Sequence, residues 1–541
     1  MLPSDVALPT KACHNCRKRR WKCDRSLPGC YKCSSSGVEC LGYGKLFVWN
    51  KGVASRGKMM GKSYEERLAL RPAPSAPASR HDNQHYKHDD LDFENMGEIE
   101  ELPREGTETV VYPALIDPLV QDLSPNSRYY LYHFATQICE DLVVHDGPNQ
   151  NPIRDLLPAT AAYPALLHII LANSAFHVFN ISRDPLTQSP YQQTQRRYLV
   201  AQYQAMSRYG GPMKSSYADA LLAKQQALSF LAQSVLSVNE TNIDLVLVVI
   251  LLFINYDLIE SGRDKWKVHM NGARQLIELL GTPPYLQQPM SRLRLSVLAD
   301  FLVFFVLGST FTFSVMRTSI PDPVDLDSVL RYAETNNYLS CPSPLLRIML
   351  DSFKLEDTRQ WLSDHIDIEV QDRVGVLLKA ALKFDPVEWS LTFQPASPSE
   401  NLEHRMHIAA AHRAAVCIYL TRGFPYSNPL LDPSSGSALI SLTGLANEII
   451  SHISYLKPGD TLFKSISWPL FLAGAECEDP AGRDWIMNSL DELYNQMYWG
   501  YLHTAKKGLE TIWRCKDKKA AGVDNCWIYD LKDLGHEILI A

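Results

Sequence analysis

The chain is 541 residues long, 46% hydrophobic and 21% charged, too apolar for wholesale disorder and long enough for several domains around a large core. Its formal net charge of −7 argues, taken whole, against a nucleic-acid partner. The charge is uneven, however: residues 11–45 hold nine basic and two acidic side chains, a net +7 that leaves −14 elsewhere and points to a basic module joined to an acidic body.

The first residues, MLPSDVALPT, lack an apolar core followed by a cleavage site, so no secretory signal is expected. Six of the twelve cysteines then follow at Cys13, Cys16, Cys23, Cys30, Cys33 and Cys40. The spacing C-x2-C-x6-C-x6-C-x2-C-x6-C repeats one half-motif, and without a secretory context it reads as metal binding rather than disulfides. A C-x2-C pair at a helix start turns both sulfurs toward one point, where backbone N–H groups stabilise thiolate charge. Each half offers three sulfurs while a closed zinc site takes four, so six thiolates satisfy two zincs only by sharing two. The pseudo-symmetry makes Cys13 and Cys30 the shared pair. The alternative is two separate three-cysteine sites completed by His14 or water, in which His14, lying inside the first C-x2-C, would chelate under strain.

The segment KACHNCRKRRWKCDRSLPGCYKCSSSGVEC resembles the fungal Zn2Cys6 binuclear-cluster DNA-binding domain in all six cysteines, in its basic run and in the loop proline Pro28. The resemblance implies two zinc ions and double-stranded DNA as partners of residues 11–43. It implies that the first helix enters the major groove by its carboxyl end and reads a CGG triplet, with Arg19 and Arg20 at the base-contacting positions. It further implies a nuclear regulator of RNA polymerase II genes that works with the transcription machinery. Arginine suits that role, because its fork matches guanine O6 and N7. Arg17, Lys18 and Lys22 are expected to meet phosphates or the cluster's own charge, and Lys11 joins this DNA-facing set. The blander reading of the RKRR run is a solvated helix end or a nuclear-import signal.

Residues 44–110 show no sustained period and carry Pro72, Pro74 and Pro77, as a flexible linker would. Their charge flips from basic (45–80) to acidic (82–108). Gly57 to Ser63 imitates a phosphate-binding loop but has three residues between its glycines where four are required. No apolar a/d heptads run through this stretch, so residues 1–110 alone are expected to be monomeric, and any homodimer to form through the helical body.

From residue 111 onward helical periods dominate, and the fold class expected is all-α. Helices are expected over Arg128–Val144, Asp155–Phe179, Tyr217–Ser237, Asn242–Ile259, Asp264–Leu280, Leu402–Leu420, Ala438–Leu456, Arg483–Met497 and His503–Arg514. Asp264 is the expected cap of its helix, and Gly272 is expected to mark a close helix–helix approach. The apolar runs Leu245–Ile254 and Phe301–Met316 read as buried core rather than membrane spans. This region resembles the fungal-specific transcription factor regulatory domain of the second type. The carriers are Ser124-Pro125-Asn126-Ser127-Arg128-Tyr129-Tyr130, the Trp266/His269/Gly272/Ala273/Arg274 helix, and Trp468 through Cys477. Cys40 through Lys45, with Val48 and Trp49, is similar to acriflavine-sensitivity-control regulators and regulators of fungal metabolite clusters.

No enzyme constellation survives inspection. His404, His407 and His412 share a helix without a metal-spaced glutamate, and there is no nucleophile elbow. Trp468, Phe471, Trp485, Tyr494, Tyr498 and Trp499 read as core packing, with a pocket for a small-molecule effector as the alternative. The expected function is a DNA-binding transcription regulator. The rival is a DNA-tethered small-molecule sensor.

Overall fold

The computed structural model describes residues 11–26, 29–38, 40, 120–183, 215–311, 325–359, 368–424, 441–518, 527–532 and 537–541. Pro28, the linker with its false phosphate loop, and Val48 and Trp49 lie outside these. The chain divides into two compact units, Met1–Val110 and Val111–Ala541.

In the first unit two short helices, α1 (His14–Arg19) and α2 (Tyr31–Ser35), each begin on a cysteine. The Cys13 sulfur accepts from the Cys16 N–H, and the Cys30 sulfur from the Cys33 N–H, both at 3.4 Å. Both helices end in the same double hydrogen bond. Trp21 N–H donates to Cys16 C=O (2.8 Å) and Arg20 N–H to Arg17 C=O (3.4 Å); Val38 donates to Cys33 (3.0 Å) and Gly37 to Ser34 (3.1 Å). The residue at the turn is left-handed in each case, Arg20 at φ 57° and Gly37 at φ 65°. Beyond the cysteines this unit has no apolar core among the described residues.

In the second unit every regular element among the described residues is helical. The β-contacts are isolated bridges, Val143 with Asn337 and Arg263 with Ile538. Ser124 caps α3 (Pro125–His133), accepting from Ser127 N–H with a proline in the first turn. The helix runs on through a π turn (Phe134–Ile138) to Asp141. There follow α4 (Pro152–Asp155), α5 (Pro164–Arg183), α6 (Ser216–Leu236), α7 (Ile243–Glu260), α8 (Trp266–Leu280) and α9 (Arg292–Ser309). The chain continues through α10 (Leu326–Asn336), α11 (Ser343–Arg359), α12 (Ile368–Lys383), α13 (Pro386–Thr392), α14 (Leu402–Gly423) and α15 (Leu442–Ile453). It ends with α16 (Ser467–Glu476), α17 (Pro480–Met497), α18 (Tyr501–Lys518) and α19 (Trp527–Lys532).

The middle of the body is α7, apolar all round and buried from Val246 to Ile259. It packs on α5, α8, α9 and α18. Polar hooks fix the register: Asn173 of α5 donates to Leu252 C=O (3.0 Å), and Asn180 donates to both Ile259 C=O (2.8 Å) and Tyr498 C=O (2.9 Å). His177 donates Nε2–H to Met497 C=O (2.5 Å), so its Nδ1 accepts from His133 at 2.8 Å; both rings are neutral, burial holding them below the usual histidine range. Among the described residues α5 is long and apolar enough to cross a membrane, but 78% of that stretch is buried inside the body.

Three expectations need correction. Asp155–Phe179 is not one helix, because Pro158 and Pro164 divide it into α4, a 3-10 turn (Leu157–Ala161) and α5. Asp264 does not cap α8. It sits at φ 54° and pairs with the chain end, donating to Glu537 C=O and accepting from Glu537 N–H, both at 2.9 Å. Gly272 marks no close approach, since a Cβ built there meets nothing within 4 Å. The tight contacts lie elsewhere: a Cβ on Gly308 would stand 2.4 Å from the ring of buried Trp266.

Alanine at these two glycines should therefore shift stability in opposite directions. Gly272→Ala is expected to gain about 0.5–1 kcal/mol, the usual difference inside a helix. Gly308→Ala is expected to lose about 1–3 kcal/mol through overpacking against Trp266. Melting temperatures of the intact chain, at about 1 °C per kcal/mol for a body of more than four hundred residues, would read the sign of each.

Candidate metal centre and nucleic-acid interface

The two caps bring the cysteines together. The Cys13 and Cys30 sulfurs are 3.5 Å apart, Cys13 and Cys33 3.7 Å, and Cys16 and Cys30 3.6 Å. None is a disulfide. A zinc tetrahedron with sulfurs about 2.3 Å from the metal has edges of about 3.8 Å, so these are the spacings of thiolates around a common ion. Two four-sulfur groups emerge, Cys13/Cys16/Cys23/Cys30 and Cys13/Cys30/Cys33/Cys40, each with all its sulfurs within 4.8 Å. They share Cys13 and Cys30, the pair that pseudo-symmetry selects. His14 belongs to neither group.

Electrostatics asks for cations here. Burial pushes the Cys13, Cys16, Cys30 and Cys33 thiols up, so without a counter-charge they resist becoming thiolates. At Cys23 burial acts the same way, but N–H groups from Cys13 and Arg25 prevail and hold it at about 7. Each half also closes its loop on a sulfur: Cys13 N–H donates to Cys23 (3.4 Å) and Cys30 N–H to Cys40 (3.3 Å).

Lys11, Arg17, Lys18, Arg19, Arg20 and Lys22 are all exposed. Arg17, Lys18 and Arg19 occupy the last turn of α1, and Arg20 is its cap, so the basic side chains gather at the carbonyl end of that helix. Two contacts there escaped the reading of the sequence. The Arg19 guanidinium lies 4.9 Å and the Lys32 ammonium 5.7 Å from the centre of the Trp21 ring, which itself packs on the cysteines. Asp24 leaves the first half to cap the second helix, accepting from Tyr31 N–H (2.9 Å) and Lys32 N–H (3.1 Å). The Ser26 hydroxyl, followed by the Tyr31 N–H, holds its carboxyl well below the usual range. A signal for Asp24 was available: an acidic residue directly after Cys23 in a basic module needs a positive partner, and the start of α2 supplies it.

The histidines and aromatics of the body scatter among separate structural roles. His404 pairs with Asp460, His407 with His452 (2.8 Å), and His412 donates to Leu339 C=O (2.9 Å). Trp468, Phe471, Tyr494, Tyr498 and Trp499 are buried in the core, and Trp485 is half-buried against it. Trp499 donates to Asp141 (2.9 Å).

Comparison with known proteins fits this geometry. The family model of the fungal Zn(2)-Cys(6) binuclear cluster domain matches residues 11–47, and that of the fungal specific transcription factor domain matches residues 129–541. The chain is 30% identical to the acriflavine sensitivity control protein acr-2 of Neurospora crassa over 615 aligned positions, covering 99% of this chain and 97% of that one. No solved structure matches. The cofactor is zinc, two ions in the binuclear domain, and these families are transcription regulators rather than enzymes. A metal-holding cysteine pair of tetrahedra, a basic helix end and a large helical body thus have one source: the chain belongs to the fungal-specific transcription factors that carry a Zn(2)-Cys(6) cluster.

Proposed function

We propose that this DNA-binding transcription regulator acts in the nucleus on CGG-type half-sites, with residues 11–43 as the DNA-binding domain, 44–110 as linker and 111–541 as regulatory domain. Cys13, Cys16, Cys23, Cys30, Cys33 and Cys40 hold the two zincs, and Cys13 and Cys30 bridge them. Arg19 and Arg20 read bases while Lys11, Arg17, Lys18 and Lys22 meet phosphates. The supporting observation is the pair of four-sulfur groups sharing two cysteines, one of which starts the helix α1 whose other end is basic. The acriflavine sensitivity control protein of Neurospora as a relative favours drug-resistance genes as targets, with metabolite-cluster genes as the alternative. A homodimer would form through the helical body.

Arg20 adds weight to base reading. It holds a left-handed backbone that its counterpart in the second half gives to a glycine, Gly37, at a cost of about 1–2 kcal/mol for a residue with a side chain. The Arg20 side chain is exposed at the basic end of α1, as that of a base-contacting residue would be.

The alternative reading is a DNA-tethered sensor whose helical body binds a small-molecule effector, and a ligand-dependent rise in the melting temperature of the intact chain would establish it.

The metal reading predicts two zincs per chain for the purified fragment 1–50, with loss of its structure on chelation. Metal analysis finding one zinc would refute the shared pair. Cys13→Ser and Cys30→Ser should each release both ions, whereas Cys23→Ser and Cys40→Ser should weaken one site first.

Base reading and backbone strain separate at position 20. Arg20→Ala should cost about 1–3 kcal/mol on a CGG site and relax its preference. Arg20→Gly should lose the same preference yet stabilise the domain by relieving the left-handed backbone. Lys22→Ala should weaken all sequences alike and lower the salt slope by about one unit. Binding titrations on CGG and scrambled duplexes across a salt series test all three, and an unchanged specificity ratio in Arg20→Ala would remove Arg20 from the reading set.

A further inference from the structure

Trp21 is larger than its place in the fold requires. Its N–H closes α1 by donating to Cys16 C=O (2.8 Å), and its half-buried ring packs on the cysteines. In the second half the matching residue is Val38, five positions past Cys33 as Trp21 is past Cys16. The Val38 N–H makes the same bond, to Cys33 C=O (3.0 Å). A short β-branched side chain therefore suffices to close such a turn, and turn closure does not account for an indole.

The ring touches charge instead. The Arg19 guanidinium carbon lies 4.9 Å from its centre and the Lys32 ammonium, from α2, 5.7 Å, both inside the roughly 6 Å reach of cation–π attraction. Among the described residues Arg19 has no carboxylate partner. A carboxylate would take up the N–H donors of the guanidinium. An aromatic face attracts its charge and leaves those donors open, in the form in which guanine O6 and N7 accept them. The two arginines that end α1 are thus directed by different means, Arg20 by its left-handed backbone at φ 57° and Arg19 by the neighbouring ring.

We propose that Trp21 is a positioning residue for DNA recognition, its ring holding the Arg19 guanidinium at the carboxyl end of α1 in the arrangement that contacts bases. The proposal rests on the reading that Arg19 reads bases, and adds the residue that orders it. A free arginine side chain loses rotamer freedom on docking, and resting on a ring beforehand removes part of that loss. A surface that orders another side chain has to be fixed itself. Trp21 is fixed by its N–H bond to α1, by the cysteines it packs on and by Lys32 of the other half.

Binding titrations of the intact, zinc-loaded chain on CGG and scrambled duplexes test this with Arg19→Ala, Trp21→Val, Trp21→Phe and the double variant Arg19→Ala/Trp21→Val. Metal analysis should find two zincs per chain in each, since valine closes the equivalent turn of the second half. Trp21→Val should lower the ratio of CGG to scrambled affinity by about 2–5-fold, the size of one exposed cation–π contact, and Trp21→Phe, which keeps a ring, by less. The double variant should lose no more than Arg19→Ala alone, because the indole acts through the arginine. An unchanged ratio in Trp21→Val with both zincs bound would overturn the proposal. So would a double variant whose losses multiply, which would put the indole itself against the DNA. If Trp21→Val loses zinc, Trp21→Leu makes the same comparison with more of the packing kept, and zinc loss from both would place Trp21 in the fold and overturn the proposal. An unchanged ratio in Arg19→Ala is a separate failure: Arg19 then reads no base, and the proposal falls with that reading.

Discussion

The contact between the Cys13 and Cys30 sulfurs, 3.5 Å apart, governs the amino-terminal unit. Each of these atoms caps the helix that follows it and belongs to both four-sulfur groups. The helices are six and five residues long, too short to persist alone in water, and among the described residues no apolar layer beyond the cysteines and Trp21 supports them. Bringing the two sulfurs together fixes the starts of both helices at once, and with them the end of α1 where the basic side chains collect. Asp24 and Trp21 then tie the halves from outside the cluster, one by capping α2 and the other by gathering Arg19 and Lys32 on a single ring. The binding surface follows from the metal centre rather than from a hydrophobic core.

The body is organised by the opposite principle. It buries α7 on all sides and then settles polar groups inside the apolar mass by short hydrogen bonds to backbone carbonyls. Asn180 shows the economy of this: one amide holds the ends of α7 and α17 in a single register through two carbonyls. A buried amide with both donors used contributes to uniqueness of packing as much as to stability, because any shift of register strands it.

Periodic features were the legible ones. The cysteine repeat gave the sulfur groups and their shared pair. Long apolar or alanine-rich runs bounded by turn residues gave α6, α7, α14 and α17 to within a few residues, since an unbroken stretch of that length is too long for a strand. The failures arose where long-range partners override local signals. Asp264 looks like a cap in the sequence, but the chain end at Glu537 claims it. Gly272 suggested crowding because glycine is costly in a helix, yet the crowding falls at Gly308, whose neighbour Trp266 is forty-two positions away in sequence. Helices α10 to α13 were not identified, although α10 turns a single apolar face inward through Val329, Leu330 and Ala333. The pairing of Asp24 with α2 depends on a loop closing between them, which spacing alone does not reveal.

The sharing of sulfurs also makes the amino-terminal unit a counting device for metal. With Cys13 and Cys30 common to both groups, neither tetrahedron is complete unless the other's half of the chain is in place. The first ion to bind at either group would draw both halves of the chain together and so prepare the second group for its own ion. Each occupied site would favour the other, and the doubly loaded form would respond to free zinc more steeply than a pair of independent sites would.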